Sequence, residues 1–124
     1  MKNILFTLLL TISFFTYGQK KELKQAQKLI DQEFYNEALD VLQNNKELIL
    51  SSDIKYQAHY YYLNGWALKE DSKSLKAVES LRKSIELERS IRQKKYIEDA
   101  NILIQNAGAE LVNSAVEDNK NDKF

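Results

Sequence analysis

An all-α fold is predicted by three features of this sequence. Proline is absent and glycine occurs only at Gly18, Gly65 and Gly108, whereas strand-rich domains need turn residues at short intervals. Apolar residues recur three and four apart, as in Leu75, Val78, Leu81 and Ile85, which is the period of one helix face. Short polar clusters interrupt that pattern at Asp31-Gln32-Glu33, Ser51-Ser52-Asp53 and Glu70-Asp71-Ser72-Lys73-Ser74. The expected architecture is a stack of helical hairpins, about two repeats, closed by a long C-terminal helix.

The first segment is set apart from that fold. Met1-Lys2-Asn3 carries one positive charge, Ile4 to Phe15 is an apolar run, and Thr16-Tyr17-Gly18 ends it with small residues at both flanks. A short basic start, an apolar stretch and small residues before a cut form the export pattern, so residues 1–18 read as a signal peptide. A membrane span needs about 20 apolar residues, and Gln19-Lys20-Lys21-Glu22 ends this run sooner. With no cysteine in the chain, lipid attachment after the cut is closed. The protein is therefore expected to be exported, periplasmic or secreted, with no stable membrane anchor after cleavage.

Residues 19–117 read as the helical domain and 118–124 as a polar tail. Helices are expected near 20–31, 35–47, 53–70, 73–88 and 92–117. Ser52 and Ser72 precede two of them and suit the N-cap, where a hydroxyl takes an orphan backbone N–H. Basic and acidic residues balance at 18 each, so the chain carries no electrostatic footprint for nucleic acid. Arg92-Gln93-Lys94-Lys95 is the one dense basic run, expected on a helix as a solvated face.

Two stretches repeat. Tyr35-Asn36-Glu37-Ala38-Leu39-Asp40-Val41-Leu42 is followed, 39 residues on, by Ser74-Leu75-Lys76-Ala77-Val78-Glu79-Ser80-Leu81. The preceding helices align at the same step, Ala26 with Gly65 and Leu29 with Leu68. Antiparallel helices that approach closely need small residues at their crossing, here Ala26 against Ala38 and Gly65 against Ala77. Gly65 costs about 1 kcal/mol relative to alanine within a helix, and close packing accounts for it. A third unit is ambiguous: a 39-residue step reaches Ile104, while Ala107-Gly108 with Leu111 fits better at a step of 43.

This pattern resembles the tetratricopeptide repeat over roughly residues 19–91. It departs from that family in its 39-residue step, in the missing closing proline (Leu50 and Arg89 stand there), and in Asn45 and Ser84 where a second alanine is usual. The resemblance implies a binding module that holds a protein or peptide partner on the concave face of its first helices. The corresponding positions are His59, Tyr62, Trp66, Lys69 and Glu70 in the second unit, with Leu23 and Gln27, beside Lys20, Ile30 and Asp31, in the first. Tyr and Trp offer large contact area with a polar end, the chemistry of binding hot spots. Packing of Tyr62 and Trp66 on the long last helix is the competing reading. The family's carboxylate clamp needs Lys and Asn where Leu23 and Gln27 stand, so that clamp is absent.

Five aromatic side chains fall between Tyr56 and Trp66. At about 100° per residue, Gln57, Tyr61, Asn64, Gly65 and Leu68 share an arc facing the second helix of their own hairpin. Tyr56, Tyr60, Leu63 and Ala67 form a neighbouring arc toward the preceding helix. His59, Tyr62, Trp66, Lys69 and Glu70 make the third.

Catalysis has no support: with His59 as the single histidine and no cysteine, no nucleophile-base arrangement presents itself. No phosphate loop, metal spacing or cofactor motif occurs. A homodimer seam along the last helix, around Ala100, Ala107 and Gly108, is the second functional reading.

Overall fold

The computed structural model describes residues 19–121, with side chains to residue 119; the expected signal peptide and the last three residues of the tail lie outside it. Six helices occur among the described residues. They are α1 (19–31), α2 (Tyr35–Asn44), α3 (Lys46–Leu50), α4 (Ile54–Glu70), α5 (Ser74–Ser90) and α6 (Ile97–Asn121). The all-α class and the hairpin arrangement with a long last helix follow the expectation. Asn45 breaks the second helix into α2 and α3: its side-chain amide donates to the Val41 carbonyl at 2.7 Å, competing with the backbone ladder.

Cross-helix contacts set the directions. Gln19 donates to the Leu48 carbonyl, and Asn45 donates to Glu22, so α1 and α2–α3 run antiparallel. Ser84 donates to the Ala58 carbonyl and Ser80 to that of Tyr61, both at 2.7 Å, so α4 and α5 do the same. These two serines sit within α5 yet satisfy their hydroxyls on the facing helix, which lets buried polar groups occupy a tight seam. Asn64 adds a bond to Ser80 at 3.1 Å. Ser74 donates to Glu110 at the start of α5, and Glu88 meets Tyr96 at its end, so α6 runs antiparallel to α5.

The two hairpins are turned by the same device. Glu33 and Ser72 have positive φ, 66° and 61°, and each opens a closing turn with paired hydrogen bonds. Phe34 N–H bonds Leu29 O and Glu33 N–H bonds Ile30 O; Lys73 N–H bonds Leu68 O and Ser72 N–H bonds Lys69 O. This is the left-handed C-terminal cap that usually takes glycine. Burial follows the same 39-residue step: Ala38 and Ala77, and Leu42 and Leu81, are all fully buried. Ser72 is thus the end of α4 rather than an N-cap, and Lys73 leads α5 without a side-chain cap. Ser52 does not cap α4 either: its hydroxyl donates back to Ile49 O, and Asp53 holds the N-cap position.

Gly65 sits where the crossing demands it. A Cβ there would lie 2.5 Å from Leu81 Cγ, 2.8 Å from Leu81 Cδ2 and 3.2 Å from the Ala77 carbonyl oxygen. At Gly108 a Cβ would meet nothing within 4 Å. Of the pair Ala107-Gly108 it is Ala107 that is fully buried. Gly65→Ala is expected to lose stability, because overpacking of about 1–3 kcal/mol outweighs a helix gain of about 1 kcal/mol. Gly108→Ala is expected to gain up to about 1 kcal/mol. Urea midpoints should move in opposite directions; a shared direction would contradict the close crossing.

Candidate binding face

Helix α4 resolves into the three arcs its spacing predicts. Gly65 and Asn64 face α5, while Tyr56, Tyr60, Leu63 and Ala67 are buried in the core that includes Leu42 and Ile49. The third arc faces α6 and the segment that leads into it. Its upper end is covered by Tyr96, whose ring stacks on His59 (centroids 4.9 Å, planes 14° apart) and on Tyr62 (4.8 Å, 18°). Tyr62 also meets Trp66 at 5.9 Å. At the lower end Lys69 pairs with Glu110 of α6 at 3.3 Å and with Glu70 at 3.5 Å. The pairs 59 with 96 and 69 with 110 show that α4 and α6 run parallel.

That packing corrects part of the expected groove. Tyr62 is 7 % exposed and Leu23 1 %, so neither is an open contact residue. Ile30, at 2 %, is core as well. For α4 the reason is that α6 and its lead-in lie alongside it, and the arc assigned to the groove packs on that neighbour. His59, Trp66 and Gln27 are half-buried, Lys69 is largely covered, and Glu70 and Asp31 are exposed. Gln27 donates to Asp31 at 3.1 Å. Of the expected contact residues, Gln27 and Trp66 thus stay partly open and Asp31 and Glu70 exposed.

Tyr96 is placed by a buried carboxylate. Glu88 is fully buried near the end of α5, and its Oε1 accepts the Tyr96 N–H at 2.7 Å. Its Oε2 has no partner among the described residues. Helix α5 then closes with a third left-handed cap: Arg92 has φ 55°, Gln93 N–H bonds Glu88 O and Arg92 N–H bonds Arg89 O. The helix expected from residue 92 consequently starts at Ile97, and the basic run lies on a loop. At its far end α6 continues to Asn121, past the expected boundary at 117. Glu88 and Tyr96 were legible only indirectly: Glu88 follows Leu81 and Ile85 at the spacing of the buried face, where an apolar residue is the rule, and Ile49 stands 39 residues before it.

Burial shifts the titrating groups here. His59 is lowered to about 4, first by desolvation and then by the charge of Lys95. Tyr62 and Tyr96 are both raised to about 12 by burial, Tyr62 further by Asp99 and Tyr96 by Glu88. For Lys69 burial works against the charge, but bonds to Glu110 and Glu70 outweigh it and raise its pKa. The Ser74 hydroxyl and Lys69 hold Glu110 below its ordinary range.

The expected dimer seam is also rearranged. Ala100 and Ala107 are fully buried against the chain's own helices, because α6 uses its small residues to approach α5 and α4. The large apolar side chains α6 leaves exposed are Ile102, Leu111, Val112 and Val116. Among the described residues no group of three or more His, Cys, Asp or Glu is placed to hold a metal ion, and no helix is long and apolar enough to cross a membrane. Comparison of the chain with protein-family models, with curated proteins and with solved structures finds no match.

Proposed function

We propose that the protein is an exported helical-repeat module that holds a protein partner on the face formed by α1, α4 and α6. The observation that carries this reading is the reuse of one hairpin at a 39-residue step, with the same left-handed cap at Glu33 and Ser72. Helix α6 follows as a third first helix, parallel to α4. Repetition of this kind builds an extended face from neighbouring units, as the tetratricopeptide resemblance implies. Export is supported by the basic start and apolar run of residues 1–18. Trp66 supplies a half-buried indole, and Gln27 and Glu70 supply polar groups, a combination of apolar area with hydrogen-bonding groups suited to a peptide.

Site-specific photo-crosslinking in the source cells tests this. A benzophenone side chain at Gln27 or Glu70 is expected to yield one discrete adduct, and one at Lys76, exposed on α5, none. Equal adducts at all three positions, or none, would remove the reading.

A further inference from the structure

The leading ends of α1 and α4 and the loop before α6 meet around a cleft of about 420 Å³ lined by Lys20, Lys55, Tyr56, His59, Gln93, Lys94, Lys95 and Tyr96. Four lysines from three segments thus line it, and no acid is among the lining residues. Outside the cleft, among the described residues, Lys69, Lys73 and Lys83 are paired with a carboxylate, while Lys21, Lys24, Lys28, Lys46 and Lys76 are not, so it is the clustering of the cleft lysines that sets them apart. Among the described residues none of the four cleft lysines has such a pair, although the whole chain carries as many acids as bases. Two ammonium groups stand over ring faces, Lys55 over Tyr56 at 5.0 Å and Lys95 over Tyr96 at 5.4 Å. The cleft is therefore a positive mouth with aromatic walls.

We propose that this cleft binds the carboxylates of an acidic stretch of the partner protein, the lysines meeting its acids while Tyr56 and Tyr96 contact the apolar parts of its side chains. The inference rests on the binding-module reading and names the chemistry of the partner. The loop argues against a compact phosphate as the ligand. Phosphate sites commonly cradle the anion with backbone N–H groups or with the planar fork of arginine. Here the N–H groups of Arg92, Gln93 and Tyr96 are already bonded to Arg89 O, Glu88 O and Glu88 Oε1, the loop contains no glycine, and no arginine lines the cleft. Separate lysines on flexible stems act as point charges and suit acids spaced along a peptide. Burial, and after it the charge of Lys95, disfavours the charged form of His59 in the cleft wall.

The test uses the full mature chain and a fluorescently labelled hexaglutamate peptide at low salt, read by anisotropy, with hexaglutamine as the uncharged probe. Hexaglutamate is expected to bind and hexaglutamine not. Lys94→Glu with Lys95→Glu should weaken binding by about tenfold or more, whereas Lys76→Glu with Arg82→Glu on α5, an equal change of net charge, should weaken it by less than about threefold. The peptide should also shift the His59 imidazole resonances and raise its pKa. No binding, equal losses in both double variants, or displacement of the peptide by inorganic phosphate at matched charge would each overturn the proposal. An adduct at Gln27 or Glu70 without hexaglutamate binding would defeat the acidic preference alone. Hexaglutamate binding with no adduct would defeat the module reading and leave the cleft an acid-binding site without that partner.

Discussion

Tyr62→Ala is expected to lower the unfolding free energy by about 3–5 kcal/mol, the range for removing a large aromatic from a core. Tyr62 is 7 % exposed, stacks on Tyr96 and touches Trp66, so the truncation empties the space between α4 and the lead-in to α6. The loss also releases Tyr96 from one of its two ring contacts, and hydrogen exchange should quicken at the start of α6 before it does in α5. Trp66→Ala, at a half-buried position, should cost less. Urea denaturation of both variants checks the order. An unchanged midpoint for Tyr62→Ala would mean that Tyr96 does not dock in solution and that the arc from His59 to Trp66 is open after all. On a sequence basis Tyr62 and Trp66 look interchangeable as groove residues; the stacked geometry separates them.

The second large effect is acid loss of stability through His59. Its folded pKa lies at about 4 against an ordinary 6.5, so between these values the unfolded chain binds a proton that the folded chain does not. Stability from this group is complete above pH 6.5 and falls as pH drops toward 4. The full difference is worth roughly 3 kcal/mol. Undocking of the 92–96 loop sets a ceiling, because it returns the imidazole to water and separates it from Lys95. Urea midpoints of the native chain and of His59→Gln at pH 7 and pH 4.5 isolate the effect from the carboxylates, which both chains share. The native chain should lose more; parallel losses would place His59 in solvent. A direct NMR titration of the single histidine gives the same answer independently.

Much of the fold was legible because it depends on short-range periodicity. The crossing alanines Ala38 and Ala77, the core leucines Leu42 and Leu81, and the need for Gly65 all follow from helical spacing and from a 39-residue self-match. Helix ends were harder, since all three left-handed caps use Glu33, Ser72 and Arg92 in place of glycine. Two fall in polar clusters that already suggest a break. The third, at Arg92, lies in a charged run without Pro, Gly or Asn, and a helix reading there is natural. The left-handed conformation costs a non-glycine residue about 1–2 kcal/mol, and the paired cap bonds offset it.

By itself the sequence determined the helical class, the order of the hairpins and the small residues at their crossings, because the first is a property of residues three, four or seven apart and the others of a repeat along the chain. Only the tertiary structure decided which of the third-arc side chains of α4 stay at the surface. The covering of His59 and Tyr62 comes from Tyr96, more than thirty residues along the chain, which is held by those two stacks and by its N–H bond to the buried Glu88. The gathering of Lys20, Lys55, Lys94 and Lys95 has the same origin. Charge far apart in sequence becomes a local field only when parallel helices bring their leading ends to one place.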